Sequence, residues 1–380
     1  MMNILITGAN GFVGKNLIAR LKSVHHSDIT NGNMRLLKYD IDTDPALLEG
    51  FCRDAGFIFH LAGVNRPQNP AEFMEGNFGF TSTLLGTLRR LGNACPIIIS
   101  SSTQAELDND YGRSKKAGEE LIFDYGRETG APVLVYRFTN VFGKWCRPNY
   151  NSAAATFCHN IARGLPVTVN DPEAEVRLLY IDDLVDELLR ALNGNPTRDG
   201  EYCVAPVDYT VKLGSLTGML YSFRDSRKDL SIPDMSDDFT KKLYAAYLSY
   251  LPEHEFFYPL KMNIDERGSF TEFIRTPERG QVSVNVSKPG ITKGNHWHDT
   301  KNEKFLVVSG EGIIRFRAIG GDEMIEYRVS GEKLEAMDIP PGYTHSIENT
   351  GDGDMVTIMW ANECYDPQRP DTIFETVIKK

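Results

Sequence analysis

The stretch that decides the fold is ILITGANGFVGKNLIARL, residues 4–21. A short apolar run is followed by Gly8, Gly11 and Gly14 and then by an amphipathic stretch. This order predicts a buried strand, a tight turn, and a helix whose free N–H groups and partial positive charge face a phosphate. Gly8 permits the turn, Gly11 lets the backbone approach a pyrophosphate, and Gly14 allows the helix to pack closely on the strand. The pattern predicts a dinucleotide site.

The same alternation of strands and helices continues to about residue 250. Apolar runs at 57–61, 97–99 and 133–136 alternate with amphipathic stretches at 112–128 and 181–192. Continuous apolar strands between helices are typical of a parallel sheet covered on both faces. Beyond residue 260, short strands separated by Gly, Pro and Asp turns predict an antiparallel barrel or jelly roll. We therefore predict a doubly wound Rossmann-type α/β domain over residues 1–253 and an all-β domain over 254–380.

Composition excludes several classes of protein. The 380 residues include 41 Lys and Arg against 52 Asp and Glu, a formal net charge of −11. An acidic chain lacks the basic face that a nucleic acid requires, and no apolar run is long enough for a membrane helix. The N-terminus lacks the pattern of a secretory signal, and the six cysteines form no C-x-x-C motif. We expect a cytoplasmic protein with reduced thiols and neither a nucleic acid nor a membrane as partner.

A second motif, YGRSK at residues 111–115, places Tyr111 and Lys115 on one face of a predicted helix. An ammonium group near a phenol lowers the phenol pKa, which suits Tyr111 to exchange a proton with a carbonyl oxygen as hydride is transferred. The serines at residues 100–102 end a predicted strand, where a hydroxyl can bind the same oxygen. Together with the glycine turn, this motif predicts a nicotinamide-dependent oxidoreductase.

With these motifs the first domain resembles the extended short-chain dehydrogenase/reductase family, whose nucleotide-sugar members carry a T-G-x-x-G-F-x-G turn and a Y-x-x-x-K helix. The resemblance implies that Tyr111 is the catalytic acid or base, that Lys115 positions the nicotinamide ribose, and that Ser102 polarises the carbonyl. Ser101 and Thr103 remain alternatives to Ser102, because the V-Y-G that usually follows the serine strand is missing. The Thr-Asp-Glu of the sugar 4,6-dehydratases is also missing, which argues against a dehydratase.

The predicted cofactor is NADPH or NADH. An acidic residue after the second strand binds the adenosine ribose and repels a 2′-phosphate, so Asp40 favours NADH, whereas Lys38 and Arg35 favour NADPH. The choice between them stays open. The residues predicted to bind the cofactor are Gly8, Gly11, Phe12, Val13, Gly14, Asp40, His60, Leu61, Ala62 and Lys115.

Histidines of the second domain follow two motifs, G-x5-H-x-H-x4-E-x6-G over residues 290–310 and P-x-G-x2-H-x3-N over residues 340–349. Because residues two apart in a strand point to the same side, His296 and His298 face one interior, where Glu303 and His345 can join them. Such ligands suit Zn²⁺ and several other divalent metals, of which Zn²⁺ is our first choice. The domain resembles the cupin family, although Leu334 replaces a turn glycine of the second motif.

Residues 265–272 resemble the D-x-R-G-x-F-x-E segment of the sugar 3,5-epimerases, and residues 293–296 resemble their R-G-x-H. The resemblance implies that Arg267 and Lys293 bind substrate, the second at the nucleotide diphosphate. Those epimerases use a histidine base and no metal, so the position of His296 among the predicted ligands leaves the base for this chain open.

The two domains together resemble a family of bifunctional enzymes of capsular polysaccharide precursor synthesis. The resemblance implies a UDP-linked 2-acetamido-2,6-dideoxy-4-hexulose as substrate, epimerisation of C3 in the cupin domain, and reduction of C4 in the first domain to UDP-2-acetamido-2,6-dideoxy-L-talose. The alternative is a 4-reductase or 4-epimerase with a structural or sensing cupin. Lys144 and Arg147 are either diphosphate ligands or solvated loop charges. A homodimer is expected, because such barrels often pair edge to edge.

Overall fold

The computed structural model describes residues 1–368 and 370–379, and the chain divides into two compact units. The first unit comprises Met1–Tyr221 and Ser236–Pro252, and the second comprises Ser222–Met235 and Glu253–Lys380. The segment Ser222–Met235 therefore groups with the second unit, whereas the sequence places the whole boundary after residue 253. None of the helices formed by the described residues is long and apolar enough to cross a membrane.

The first unit is built from strands and helices that alternate along the chain, and its strands pair in parallel except for β8 with β9 and β10 with β7. Its strands are β1 (Met2–Thr7), β2 (Met34–Tyr39), β3 (Phe57–His60), β4 (Ile97–Ser102), β5 (Val133–Phe138), β6 (Asn140–Phe142), β7 (Glu175–Tyr180), β8 (Arg198–Asp199), β9 (Tyr202–Cys203) and β10 (Tyr209–Lys212). The main sheet has the order β2-β1-β3-β4-β5-β9-β8, and a smaller sheet has the order β10-β7-β6.

Most helices of the chain belong to this unit. They are α1 (Phe12–Val24), α2 (His26–Thr30), α3 (Leu47–Asp54), α4 (Ala71–Phe73), α5 (Phe80–Leu91), α6 (Asp110–Thr129), α7 (Ala153–Ala162), α8 (Ile181–Leu192), α9 (Leu213–Asp229), which runs into the second unit, and α10 (Asp238–Leu248). A π-helical segment, Met74–Gly79, joins α4 to α5, and short 3₁₀ turns lie at Thr103–Glu106 and, in the second unit, at Glu253–Glu255.

Alternation of side chains along β1 explains how helices cover both faces of the main sheet. Ile4 and Ile6 pack in one core cluster with residues of α1 and α8, while Leu5 packs in a second cluster with residues of α3, α5 and α6. The strand order reverses between β1 and β3, and in such sheets ligands bind beyond the carboxyl ends of the strands at this point. The predicted α/β fold is confirmed.

The second unit is an antiparallel β structure. Its strands are β11 (Met262–Asp265), β12 (Gly268–Thr276), β13 (Gly280–Ser287), β14 (Thr292–Trp297), β15 (Glu303–Ser309), β16 (Glu311–Ala318), β17 (Met324–Ser330), β18 (Met337–Ile339), β19 (Tyr343–Asn349), β20 (Met355–Ala361) and β21 (Ile373–Phe374). They form sheets with the orders β11-β12-β13-β20-β15-β18 and β17-β16-β19-β14-β21. Apolar side chains of both sheets, such as Phe305 and Phe316, share one core, which confirms the all-β prediction.

Candidate functional site

The glycine turn lies against the chain that leaves β3. Gly8 has φ +69°, and a Cβ there would lie 2.7 Å from the backbone nitrogen of Ala62. At Gly14 a Cβ would lie 2.2 Å from the carbonyl oxygen of Gly8, so the helix and the turn touch through their backbones. Gly11 is the N-cap of α1 and has no side chain to occupy the first N–H groups. These features leave the start of α1 available to a phosphate.

A cavity of about 470 Å³ opens beside this turn. Five of the predicted cofactor residues line it, namely Gly8, Gly11, Asp40, Leu61 and Ala62, together with apolar groups such as Tyr39, Val64 and Phe80. The Asp40 carboxylate accepts hydrogen bonds from the backbone N–H groups of Asn10, at 2.7 Å, and Ile41, at 2.8 Å. A largely apolar cavity with one fixed carboxylate suits a nucleoside with ribose hydroxyls. Phe12 and Val13 pack against the core at the start of α1.

His60 lies behind this cavity. Its Nδ1 is 2.7 Å from the Thr7 hydroxyl and its Nε2 is 2.8 Å from the Thr81 hydroxyl, and only 1% of its surface is exposed. Burial, together with the charge of Lys115, lowers the pKa of His60 to about 3, so the ring is neutral. Since both ring nitrogens are engaged, the structure gives His60 the role of holding the end of β3, while Leu61 and Ala62 reach the cavity.

Tyr111 lies in the first turn of α6 and meets Ser102 at the end of β4. Asn109 caps this helix through a hydrogen bond from Gly112 N–H, which fixes the position of the phenol. Burial raises the pKa of Tyr111 to about 12, while a hydrogen bond with the Ser102 side chain acts in the opposite direction. Burial therefore outweighs the lowering of the pKa that the sequence predicts from the nearby ammonium, and the phenol is protonated at neutral pH and can act as a proton donor.

Lys115 lies one turn further along α6. Its Nζ donates a hydrogen bond to the carbonyl oxygen of Ser100, at 3.1 Å, and lies 5.8 Å from the centroid of the Tyr111 ring. Burial lowers the pKa of Lys115 to about 8, and the charge of Glu119 opposes part of this change. A Cβ at Gly63 would lie 2.9 Å from this Nζ, so the ammonium reaches the chain that follows β3 beside the cavity.

The structure distinguishes among the three candidate hydroxyl groups. The Ser101 side chain is buried and donates a hydrogen bond to Glu119, and the Thr103 side chain donates to the carbonyl oxygen of Phe138. Ser102 accepts a hydrogen bond from the backbone N–H of Gln104 and meets the phenol of Tyr111. The geometry thus favours Ser102 over Ser101 and Thr103.

Sequence reasoning missed Asn77, which lies in the π-helical segment. Its amide donates hydrogen bonds to the Ser114 hydroxyl and the Val64 carbonyl oxygen, and its Oδ1 accepts from the Val64 N–H. It therefore ties α6, which carries Tyr111 and Lys115, to the loop after β3. A π-helical turn does not alter the apolar periodicity in a recognisable way, so the sequence carries no clear signal for it.

Lys144 and Arg147 lie in the loop after β6. Lys144 forms an ion pair with Asp182 at 2.5 Å, and the guanidinium carbon of exposed Arg147 lies 5.1 Å from the centroid of the Tyr150 ring. The pKa of Tyr111 is raised mainly by burial, with a smaller contribution from Tyr150, so this loop lies near the phenol of Tyr111. The diphosphate role of both cations stays a prediction.

In the second unit, His296, His298, Glu303 and His345 converge. One ligand atom from each lies within 4.8 Å of all the others. His296 pairs directly with His345 across β14 and β19, where a register shift between Gly294 and His296 leaves Asn295 bulged. Such a bulge re-aims the neighbouring side chain. Glu303 arrives from the other sheet, with its Oε2 3.5 Å from Nε2 of His298 and 3.4 Å from Nε2 of His345.

The chemistry of this cluster fits a divalent cation. The Nε2 atoms of His298 and His345 and the Oε2 of Glu303 are buried and have no hydrogen-bond partner among the residues that the structure describes. Burial and the neighbouring imidazoles lower the pKa of His296 to about 4. Burial alone would raise the pKa of Glu303, but His298 and His345 bring it below its usual range. Neutral imidazoles and an ionised carboxylate are the forms that bind metals.

Arg267 and Lys293 lie together in the same unit. Arg267 forms an ion pair with Asp265, and the Nζ of Lys293 donates hydrogen bonds to Asn285 Oδ1 and the Val286 carbonyl oxygen, both at 2.8 Å. Burial lowers the pKa of Lys293, Asp265 opposes this effect, and the charge of Arg267 adds to it. Their predicted role in substrate binding stays a prediction.

Comparison with known proteins identifies the class. Residues 4–205 match the NAD dependent epimerase/dehydratase family, and residues 263–373 match the polysaccharide biosynthesis C-terminal domain. The chain belongs to the NAD dependent epimerase/dehydratase family, and the prediction of a nicotinamide cofactor is confirmed at the level of the family.

Individual relatives extend this result to the whole chain. The UDP-2-acetamido-2,6-beta-L-arabino-hexul-4-ose reductase of Pseudomonas aeruginosa is 44% identical over 371 residues, 98% of each protein. The crystal structure of the capsular polysaccharide assembling protein CapF from Staphylococcus aureus is 54% identical with a TM-score of 0.93, and the match covers 99% of this chain and 100% of that one. The UDP-glucuronic acid 4-epimerase of Bacillus cereus with NAD, 19% identical with a TM-score of 0.51 over 66% of this chain and 98% of that one, shares the fold alone. The resemblance to the capsular polysaccharide enzymes is confirmed.

Proposed function

We propose that the first unit reduces the C4 ketone of a UDP-linked 2-acetamido-2,6-dideoxy-4-hexulose with NADPH or NADH, and that the second unit epimerises C3 of the same sugar. The product would be UDP-2-acetamido-2,6-dideoxy-L-talose. The observation that carries the reductase is the convergence of Ser102, Tyr111 and Lys115 beside the cavity at the glycine turn. The name of the 44% identical relative, a reductase of a UDP-linked 4-hexulose, supports the same substrate class.

In the reduction, Ser102 and Tyr111 act on the ketone oxygen. The nicotinamide, when bound, supplies the hydride for C4. Tyr111 donates its phenolic proton to the oxygen as negative charge develops there, and Ser102 donates a hydrogen bond to the same oxygen. The positive charge of Lys115 favours loss of the proton from the phenol, because it stabilises the phenolate that remains.

For the epimerisation we propose a divalent metal, with Zn²⁺ as first choice, held by His296, His298, Glu303 and His345. When bound, the metal acts as a Lewis acid that polarises a substrate carbonyl and acidifies the neighbouring C–H bond. Four ligand atoms within 4.8 Å, three of them buried without a hydrogen-bond partner among the described residues, support this proposal. Lys293 would bind the nucleotide diphosphate, and Arg267 would bind the same substrate. Epimerisation precedes reduction, because the C3 hydrogen is acidic only while C4 is a ketone.

Hydrogen exchange into the sugar tests both halves at once. The 4-keto sugar is incubated with the protein in D₂O without nicotinamide, and deuterium at C3 is measured by mass spectrometry and NMR. We expect exchange in the wild type and in Tyr111→Phe, and its loss on chelation or in His296→Ala. NAD(P)H oxidation should show the opposite pattern, being lost in Tyr111→Phe. Loss of both activities in one folded variant would contradict the assignment of one reaction to each unit.

A reductase with a single activity is the second candidate. It is favoured by the name of the relative from Pseudomonas aeruginosa, which states a reductase although the match spans both units. In that case the metal cluster would stabilise the second unit only. Absence of deuterium at C3, with normal oxidation of NAD(P)H, would support this candidate.

A further inference from the structure

Residues near the end of the chain run along β14, the strand that carries His296 and leads directly into His298. We call residues 371–377 the C-terminal segment. Within it, β21 pairs with the end of β14, so that Phe374 lies opposite His296 and Ile373 lies opposite Trp297. The N–H of Glu375 donates to the carbonyl oxygen of bulged Asn295 at 2.9 Å. The segment therefore adds an edge strand at the place where the ligand strand is bulged.

Asp371, the first residue of the segment, binds the turn that joins His298 to Glu303. Its carboxylate accepts hydrogen bonds from the N–H groups of Asp299 at 2.8 Å, Thr300 at 2.9 Å and Lys301 at 2.8 Å, and from the Thr300 hydroxyl at 3.2 Å. Burial alone would raise its pKa, but these donors hold the pKa well below its usual range. The turn between two candidate ligands is thus fixed by one ionised side chain.

The backbone of Asp371 also contacts a ligand directly. Its carbonyl oxygen accepts a hydrogen bond from Nδ1 of His298, whose side chain is 2% exposed. An imidazole that donates through Nδ1 has its lone pair on Nε2, and this Nε2 faces Oε2 of Glu303 at 3.5 Å. The contact therefore sets the tautomer and the orientation in which His298 can bind a cation.

The other end of the segment is anchored in the core of the unit. Arg317, which is 2% exposed, donates to the carbonyl oxygens of Val377 at 2.9 Å and Thr376 at 2.7 Å and pairs with the Glu375 carboxylate at 2.8 Å. The hydroxyl of Thr344, the neighbour of the ligand His345, donates to the Glu375 carbonyl oxygen. The segment thus bridges both strands that supply histidines.

We infer that the C-terminal segment is a positioning element of the metal centre, and that Asp371 is its positioning residue. Asp371 holds the turn after His298 and the Nδ1–H of that ring, so that Nε2 is presented to the cation before the cation arrives. This inference rests on the metal centre put forward under the proposed function. Coupling between two sites is reciprocal. The free energy by which the docked segment strengthens metal binding therefore equals the free energy by which the bound metal stabilises docking of the segment.

The first experiment compares metal binding in the full chain with Asp371→Ala, Asp371→Asn and the control Asp354→Ala. Asp354 is an exposed carboxylate of the same unit that pairs with Lys288. Zn²⁺ affinity is measured by competition with a chelator, and the ligand field by the absorption of bound Co²⁺. Asp371→Ala keeps the backbone carbonyl oxygen that His298 contacts and removes the carboxylate that holds the turn after this ligand. Changes to outer-shell groups of a metal site typically cost about 10- to 100-fold in metal affinity. We expect this loss in Asp371→Ala with a changed Co²⁺ spectrum, a smaller loss in Asp371→Asn, which keeps an acceptor oxygen, and no change in the control.

The second experiment needs no variant and so does not depend on one folding. Amide hydrogen exchange of residues 371–377 is measured in the wild type with and without saturating Zn²⁺, and we expect slower exchange with the metal. Unchanged exchange, or Zn²⁺ affinity and a Co²⁺ spectrum of Asp371→Ala equal to those of the wild type, would overturn the inference while leaving the metal centre in place. A wild-type protein that binds neither Zn²⁺ nor Co²⁺ would overturn the metal centre and the inference together.

Discussion

Lys115 is the group whose replacement should separate stability from activity most clearly. Lys115 is 9% exposed, and the hydrogen bond described for its ammonium runs to the carbonyl oxygen of Ser100. A buried cation that forms no ion pair among the described residues destabilises the fold, yet the proposed reduction requires its charge beside Tyr111. We predict that Lys115→Met makes the protein more stable at neutral pH and removes oxidation of NAD(P)H.

The size of the effect follows from the pKa of Lys115. Burial lowers this pKa from 10.5 to about 8. At roughly 1.4 kcal/mol for each pH unit, the protonated form of Lys115 costs the folded protein about 3 kcal/mol. Methionine fills a similar volume but loses the hydrogen bond to Ser100, worth about 1 kcal/mol. The expected gain in the free energy of unfolding is therefore about 2 kcal/mol.

The difference in the free energy of unfolding between Lys115→Met and the wild type should depend on pH. Below about pH 8 both states carry the proton on Lys115 and the wild type bears the full cost. Between about pH 8 and pH 10.5 the unfolded chain keeps the proton that the folded protein has lost, so the stability of the wild type rises with pH. Lys115→Met has no such group, and its advantage over the wild type should shrink through this window.

Urea unfolding followed by far-ultraviolet circular dichroism is the appropriate assay, because most helices belong to the first unit. Lys116→Met is the matched control, since Lys116 is the next residue of α6 and is exposed. It should leave stability and activity nearly unchanged. If Lys115→Met is less stable than the wild type at neutral pH, or if the difference between them does not vary with pH, the argument from burial is refuted.

Three further experiments test the first unit. Ser102→Ala should lower kcat for reduction by roughly 10²-fold. Ser101→Ala should keep kcat within a few-fold of the wild type and lower the free energy of unfolding by about 1–3 kcal/mol. Kinetics and urea unfolding would show the reverse if Ser101 were the active hydroxyl. Asp40→Ala should raise the ratio of kcat/KM for NADPH to that for NADH by about tenfold, because it removes a negative charge beside the expected 2′-phosphate; an unchanged ratio would contradict this placement of the ribose. Gly14→Ala should lower the free energy of unfolding by about 1–3 kcal/mol and weaken cofactor binding. At Gly86 in α5 an added Cβ would meet no atom within 4 Å, so Gly86→Ala should raise the free energy of unfolding by about 0.5–1 kcal/mol. Equal effects of the two changes in calorimetry would contradict the close packing at Gly14.

The sequence predicts those parts of the molecule whose geometry depends on residues that are close together in the chain. The turn at Gly8 follows its strand directly, and Tyr111 and Lys115 are one helical turn apart. His296 and His298 are near neighbours in the chain, and their motif extends to Glu303. Tyr111 and Lys115 lie on one helix, and the motif from His296 to Glu303 spans the end of β14, the turn after it and the start of β15, so a single stretch of sequence is sufficient in each case.

The parts that the sequence does not predict depend on contacts between distant elements. His60 lies where its motif places it, but its role is fixed by Thr7 and Thr81, which lie 53 and 21 residues away. The carbonyl oxygen of Asp371 accepts a hydrogen bond from His298, which is 73 residues away in the chain, and no sequence motif near Asp371 predicts this contact. A backbone carbonyl or a threonine hydroxyl is chemically ordinary, and only the fold makes it specific.

Burial shifts pKa values in opposite directions in the two candidate sites. In the first unit it raises the pKa of Tyr111, so the phenol keeps the proton that the ketone oxygen needs at neutral pH. In the second unit it lowers the pKa of His296 to about 4, so the ring keeps its lone pair free at neutral pH, when only a cation competes for it. The same removal of water that favours a protonated phenol at one candidate site therefore favours a free imidazole lone pair at the other.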